Sequence, residues 1–370
     1  MKIIYFVFFL FVVFVSGYSI GSEHLPLEKT VKLYFLENKP SDNDVLKINP
    51  ILYETNPYDL INLDSDTDII SKKNQLIFYV WKQKTLPNDL PVSIEKIYDD
   101  RFSNLKNLSS IEKLTIHMEY GVESYPYLFL PKNSNDQVII YHQGHGGDFI
   151  NGIEIIDSFL EQGFTVLAFS MPLLGINNQP IINIDDLGVI QLTKHDHFRY
   201  LESEQFSPLK FYFHPIVLSL NYLEKNYSFH SYHMIGISGG AWTVEFFSTM
   251  DERISKIFSV GGPLPLYITI NLKENTDYET NHSELNKILN SFELLISSSF
   301  GEKREFYKII NKYDSCCHGG TTYELFETDI SKTLMKFSSG YFEIFSDDTH
   351  FEHKISEHSL KFIFKKLNNV

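Results

Sequence analysis

Short apolar runs alternate with helically spaced apolar positions through most of the chain beyond its first third. "VIIYHQ" from Val138 and "FTVLAFS" from Phe164 are typical of buried strands, as are the later runs "YHMIGI", "KIFSV", "FYKII" and "YFEIF". The first helical stripe ends before Gly163, a residue type common just beyond a helix, and a second helix is predicted to begin at Pro215. A third helix is predicted in the last residues of the sequence. This alternation predicts an α/β fold with a doubly wound, mostly parallel sheet. The three helical stripes are Ile153, Ile156, Phe159 and Leu160; Ile216, Leu220 and Leu223; and Ile355, Phe362, Ile363 and Leu367.

The same pattern divides the chain into three predicted regions. Residues 1–17 are predicted to be a signal peptide or N-terminal anchor, 18–107 a polar extension packed on the core, and 108–370 the main domain. Within the extension we predict strands at Val31–Leu36 and Leu76–Trp81, and a separate binding module is the alternative interpretation. Residues 176–210 and 271–300 are long for connections between strands, which is typical of caps or specificity loops.

The N-terminus and the charge limit where the protein acts and what it binds. Lys2 precedes an apolar run from Ile3 to Val15, and Ser16 and Gly17 follow it. This run is shorter than the roughly 20 residues that a membrane helix needs, so we predict a secreted or extracytoplasmic protein. An uncleaved anchor is the alternative, and it is the only membrane contact expected. The net charge of −15, with no basic block, argues against nucleic acid as a partner.

One candidate for chemistry is the stretch "GISGG" from Gly236 to Gly240, which follows a predicted strand and precedes a predicted helix. Only glycines fit where such a turn folds tightly around a serine. Ser238 is therefore the predicted nucleophile, and the amide of Gly239 would donate a hydrogen bond to the oxyanion.

Other polar groups follow other predicted strands. Asp314 ends "FYKIINKYD", and "DDTHFEHKIS" supplies His350 and His353. The glycine-rich stretch "YHQGHGGD" follows an earlier strand, and we favour the amide of His145 as the second oxyanion donor. Because the carboxyl ends of parallel strands meet at one edge of the sheet, these groups are expected to share one crevice.

The order of these segments resembles that of the α/β-hydrolase superfamily, especially its dienelactone-hydrolase-like and acetylxylan-esterase-like branches, over roughly Ile111 to Val370. The resemblance implies Ser238 as nucleophile, Asp314 as acid and a histidine of "THFEHKIS" as base, in the chain order that this fold requires. The glycine-rich loop would complete the oxyanion hole. The sequence departs from the family where Gln143-Gly144 replaces the common His-Gly pair, and where the base loop holds two histidines.

His353 is the favoured base, because "HKIS" leads into the terminal helix with Ser356 as its N-cap. His350 is the alternative base, and its spacing from the strand end favours it. Asp347 and Asp348 compete with Asp314 for the acid role, but they lie close to the histidines in sequence and are expected to be solvated.

Metal and cofactor sites are not expected. Cys316 and Cys317, with His318 beside them, lack the ligand spacing of zinc sites, so the cysteines are expected to be small buried side chains near the acid loop. His142 and His145 are given a loop role rather than a metal-binding role.

The predicted function is hydrolysis of a small carboxylic ester through an acyl-enzyme on a Ser-His-Asp triad, without a cofactor. Peptidase or acyltransferase activity on the same residues is one alternative. The alternative from a different class is a catalytically inactive hydrolase fold used for binding, because a fold does not guarantee its function.

Overall fold

The structure, a computed structural model, describes residues 48–185, 187–268 and 277–368, together with Ser41 and Val45. The predicted signal peptide or anchor at 1–17 and the predicted strand Val31–Leu36 lie outside these residues. Contacts divide the chain between Asp42 and Asn43, and every helix and strand given below belongs to the second unit. The predicted domain boundary at 107/108 stays a prediction; β1, at Ser93–Ile97, pairs with a strand of the main sheet.

A ten-stranded sheet organises this unit, in the order β1-β2-β4-β6-β5-β9-β10-β11-β12, with β3 paired to β2. The pairs from β6 to β12 are parallel, and those involving β1 to β4 are antiparallel, which confirms the predicted doubly wound, mostly parallel sheet. β7 and β8 form a separate hairpin. The other strand bounds are Leu108–His117 (β2), Glu123–Ser124 (β3), Tyr127–Pro131 (β4), Gln137–His142 (β5), Thr165–Phe169 (β6), Ile181–Ile184 (β7), Gly188–Gln191 (β8), Ser231–Ile237 (β9), Ile254–Val260 (β10), Glu305–Asn311 (β11) and Tyr341–Asp347 (β12).

Eight α-helices lie in the described part of the chain: Asp66–Trp81 (α1), Ile153–Glu161 (α2), Lys210–Asn226 (α3), Gly239–Met250 (α4), Ser283–Ile288 (α5), Ser291–Ser299 (α6), Glu327–Leu334 (α7) and Glu357–Asn368 (α8). Ser356 caps α8 as predicted, since its hydroxyl accepts a hydrogen bond from the amide of Ser359 at 3.0 Å. None of the helices within the described ranges combines the length and the apolar character that crossing a membrane requires.

Alternate residues of the central strands point to opposite sides of the sheet, and both sides are buried. Ile140 and Met234 contribute to a core shared with α1, α3, α4 and α6, whereas their chain neighbours Ile139 and Ile235 contribute to a core shared with α2 and α8. Burial on both faces explains why these strands are continuous apolar runs in the sequence. Each such side chain contributes roughly 1.5–3 kcal/mol of burial free energy.

The predicted strand at Leu76–Trp81 is wrong, because these residues form the last turns of α1. Ser65 and Asp68 make a capping box at the start of this helix, and the buried residues recur at helical spacing. The aromatic and β-branched run "LIFYVW" resembles a strand only when it is considered without that cap.

The predicted helix start at Pro215 is also wrong, because α3 begins at Lys210 and contains Pro215. The amides of Lys210, Phe211 and Tyr212 already bond to carbonyls three residues earlier, which starts the turn before the proline. Phe211 and Tyr212 are almost completely buried, and this burial favours the longer helix.

A buried ion pair ties α4 to the sheet. Nζ of Lys308 on β11 lies 2.7 Å from Oε1 of Glu245 on α4, and both side chains are almost fully buried. The hydroxyl of Ser259 on β10 donates to the same oxygen at 2.6 Å. The carboxylate therefore connects α4 to two strands.

Replacing Lys308 by Met is expected to lower the free energy of unfolding by about 3–5 kcal/mol, because Glu245 would be left buried without a counter-charge. Urea denaturation followed by circular dichroism measures the loss. The control is Lys287→Met, which removes an exposed pair with Glu284 and should change stability by less than about 1 kcal/mol. Equal effects of the two substitutions would contradict the buried pairing.

Candidate active site

Ser238 occupies the sharp turn between β9 and α4. Its φ of 58° and ψ of −122° lie in a region that residues with a side chain rarely adopt. The turn is tight enough to require glycine on both sides: a Cβ on Gly236 would lie 2.2 Å from the carbonyl oxygen of Gly240, and one on Gly240 would lie 2.2 Å from that of His142. The local geometry is that of a strand–turn–helix elbow.

Asp314 and His353 are brought into direct contact from different strand ends. Oδ2 of Asp314, which follows β11, lies 2.5 Å from Nδ1 of His353, which follows β12. The other oxygen, Oδ1, accepts hydrogen bonds from the amides of Cys316 and Cys317 at 2.8 and 3.2 Å. The carboxylate is thus fixed by the backbone on one side and faces the imidazole with the other, so it can hold the imidazole in one tautomer.

The loop that carries His353 packs against the ends of β10 and β11. Its carbonyl at Lys354 accepts a hydrogen bond from the Asn311 side chain, and a Cβ on Gly261 would lie 2.9 Å from Cε1 of His353. Gly261 follows Val260, whose carbonyl accepts a hydrogen bond from the amide of Ser238 at 3.0 Å. Nε2 of His353 is buried and has no hydrogen-bond partner among the described residues, so it remains able to take a proton.

His350, the alternative base, is directed to a different carboxylate. Its Nε2 lies 3.5 Å from Oδ2 of Asp347, and the imidazole is 7% exposed. Burial alone raises the pKa of Asp347, but His350 and the hydroxyls of Ser356, Ser359 and Thr349 outweigh it and hold that pKa well below its usual value. Asp347 is therefore a buried structural anchor of the loop, and the expectation that it is solvated is wrong; Asp348 is exposed as expected.

The loop after β5 lies directly against the Ser238 turn. A Cβ on Gly144 would lie 2.7 Å from Cβ of Ser238, and one on Gly239 would lie 2.5 Å from Cε1 of His145. The amide of Gln143 is already bonded to the carbonyl of Phe169 at 2.9 Å, so it is not free to act as an oxyanion donor. Gly239 begins α4, where the first amides have no partner within the helix. The amides of Gly239 and His145 stay the predicted oxyanion donors.

The two cysteines form a disulfide bond with each other, and Cys316 is exposed, so the expectation of small buried side chains is wrong.

His142 is fully buried, with Nδ1 2.9 Å from the carbonyl oxygen of Gln143, and burial lowers its pKa to about 4. A neutral imidazole bonded to its own loop fits the expected loop role. His145 is different: its Nε2 meets His195 and Glu279, and these three residues have the ligand types and spacing that could hold a metal ion.

No protein-family model matches this sequence, and no curated protein matches it. Among solved structures, acetyl xylan esterase 1 from Thermoanaerobacterium sp. JW/SL YS485 superposes with a TM-score of 0.53 at 14% identity, over 86% of this chain and 98% of the other. An acetyl xylan esterase from Paenibacillus sp. R4 superposes with a TM-score of 0.52 at 14% identity, over 93% and 99%. The methylesterase BT1017 gives 0.51 at 11% identity, over 90% and 69%. The chain has the α/β-hydrolase fold. At these identities the likeness extends to the fold and not to the chemistry.

In this fold, the ligand crevice is expected where the strand order reverses direction. The chain runs from β5 outward to β6, and β9 then pairs on the other side of β5, so the loops after β5 and β9 border one crevice. These loops carry His145 and Ser238, and the loops after β11 and β12 bring Asp314 and His353 from the neighbouring strands.

Two residues near this crevice belong to no motif in the sequence. His195 and Glu279 lie in the long connections 176–210 and 271–300, and both are buried beside His145. No fixed spacing joins the three residues, so no sequence motif signals their meeting. The only available signal was the unusual length of the two connections.

Proposed function

We propose that this protein is a carboxylic ester hydrolase that works through an acyl-enzyme on Ser238. His353 removes the proton from the serine hydroxyl and later returns it to the leaving alcohol, and Asp314 holds the imidazole in the required tautomer. The single observation that carries the proposal is the 2.5 Å contact between Asp314 and His353, and the strained elbow at Ser238 supports it.

Oxyanion stabilisation is assigned to the backbone amides of Gly239 and His145. Two amides aimed at the developing negative charge are the usual requirement for acyl transfer, and the N-terminal end of α4 adds its dipole. The acetyl xylan esterases of similar fold make acetyl esters the first substrates to test.

Export from the cytoplasm is part of the proposal. The Cys316–Cys317 disulfide supports it, because disulfides persist mainly in oxidising compartments. The predicted signal segment lies outside the described residues and adds only its sequence pattern.

Labelling with a fluorophosphonate probe, followed by peptide mass spectrometry, tests the proposed nucleophile. We expect one modified peptide, carrying the probe on Ser238, together with loss of p-nitrophenyl acetate hydrolysis at the same rate. A panel of p-nitrophenyl esters of increasing acyl length and peptide anilides then separates esterase from peptidase activity, and added alcohol acceptors reveal acyl transfer. Absence of labelling in the folded protein would favour the inactive binding fold.

A further inference from the structure

Three Lewis-basic atoms from separate segments converge beside the candidate active site. Nε2 of His145 lies 2.8 Å from Oε1 of Glu279, and Nδ1 of His195 lies 3.2 Å from each of these two atoms. Glu279 is fully buried and His195 is 5% exposed, whereas His145 is 31% exposed. The cluster is therefore buried at Glu279 and His195 and reaches solvent at His145.

The orientation of His195 brings its second ring nitrogen into the cluster. Nε2 of His195 lies 2.8 Å from the carbonyl oxygen of Pro172, which can only accept, so this nitrogen carries a proton. Nδ1, the other ring nitrogen, faces Oε1 of Glu279 and Nε2 of His145. The carboxylate of Glu279 is fully buried, and burying a carboxylate is costly unless a positive charge lies beside it.

Neighbouring residues hold Glu279 and His195 in place, each through the polar atom that points away from the cluster. The hydroxyl of Tyr212 donates to Oε2 of Glu279 at 2.9 Å, as the carbonyl of Pro172 orients His195. The imidazole of His195 also stacks on Phe198, with ring centroids 5.6 Å apart. Outer contacts of this kind, from a carbonyl to a histidine and from a hydroxyl to a carboxylate, are those that orient metal ligands.

We propose that His145, His195 and Glu279 form a binding site for a divalent transition-metal ion, of which Zn²⁺ is the best match. Two imidazoles and one carboxylate are a ligand set that zinc takes, with the fourth position left for water or another ligand. Zinc bonds of about 2.1 Å in a tetrahedral arrangement place ligand atoms about 3.4 Å apart. Two of the three observed separations are 3.2 Å, and the third, at 2.8 Å, needs to lengthen by only about 0.6 Å.

Binding would replace the proton on Nε2 of His145 with the metal ion and release that proton to solvent. At the exposed side of the site, Oδ2 of Asp277 lies 3.5 Å from the same nitrogen and is placed to take the fourth position. The bound ion would join the loop after β5 to the two long connections. Because the His145 ring packs on Gly239, it would also fix that loop against the Ser238 turn.

Metal binding to the tag-free full chain tests the site. Isothermal titration of the metal-stripped protein with ZnCl₂ is expected to show one tight equivalent, and Co²⁺ is expected to give the visible spectrum of a four-coordinate complex. Glu279→Gln keeps a hydrogen-bond acceptor for His145 but is a poor ligand, so it should weaken binding by more than about 100-fold and abolish the Co²⁺ spectrum. Tyr212→Phe should weaken it by about 10- to 100-fold, as loss of an outer contact does.

Two histidine variants serve as controls. His197→Gln changes a residue in the short 3₁₀ helix that holds His195, His195–Tyr200, without touching the cluster. His282→Gln changes a histidine outside the cluster, whose Nε2 lies 2.9 Å from the carboxylate of Glu202. Both should bind Zn²⁺ as the parent does. The proposal is overturned if the stripped parent takes up no tight equivalent, or if Glu279→Gln binds as tightly as the parent while circular dichroism shows it folded. Since the readout is metal binding, the result is independent of whether Ser238 is the nucleophile.

Discussion

Replacing Ser238 by Ala or by Gly is expected to abolish ester hydrolysis, with kcat falling by about 10⁶-fold, while the two variants differ in stability. Both substitutions remove the attacking hydroxyl, and a serine triad that loses its nucleophile keeps only a small fraction of its rate enhancement. The backbone at φ 58° strains Ala but not Gly, so Ser238→Gly should be the more stable of the two by about 1 kcal/mol. Hydrolysis of p-nitrophenyl acetate and urea denaturation measure the two effects.

The comparison separates the role of the hydroxyl from that of the turn. Undiminished hydrolysis by either variant would remove Ser238 from the mechanism. If Ser238→Gly were less stable than Ser238→Ala, the turn in solution would not have the strained backbone described above.

The second large effect is expected from the two histidines of the loop after β12. His353→Ala should lower kcat by about 10⁴-fold or more, because the serine loses its general base. His350→Ala should retain kcat close to that of the parent, since its ring lies 3.5 Å from Asp347 and not beside Asp314. Instead it should lower the free energy of unfolding by about 1–3 kcal/mol, because the buried Asp347 loses a partner.

Each variant is a control for the other, because both remove an imidazole from the same loop. Steady-state kinetics on p-nitrophenyl acetate and urea denaturation, applied to both variants, separate catalysis from stability. A large loss of kcat in His350→Ala with full activity in His353→Ala would reverse the proposed assignment.

The fold and the placement of the triad candidates could be predicted because local signals identify strand ends. Continuous apolar runs mark strands that are buried on both faces, and the residues that follow them reach one edge of the sheet. Ser238, Asp314 and His353 each follow such a run, so periodicity and chain order were enough to propose that they meet. The contact between Asp314 and His353 agrees with that reasoning, while the catalytic roles stay predictions.

The rest could not be predicted because it depends on tertiary contacts that leave no local pattern. Asp347 is flanked by polar residues in the sequence, and it is buried where Ser356 and Ser359 at the start of α8 donate hydrogen bonds to its carboxylate. His195 and Glu279 lie far apart in the sequence within long connections, whose conformation is set by what they pack on. The disulfide between Cys316 and Cys317 could not be predicted, because no local pattern distinguishes two adjacent cysteines that pair from two small buried side chains.

The order of the strands also has a consequence for biosynthesis. A ribosome translates Ser238 before β11 and β12, so the serine hydroxyl enters the nascent chain before Asp314 and His353, its proposed partners. In the proposed mechanism, the hydroxyl becomes reactive only after β11 and β12 have joined the edge of the sheet. Folding of these two strands would therefore switch on the proposed activity.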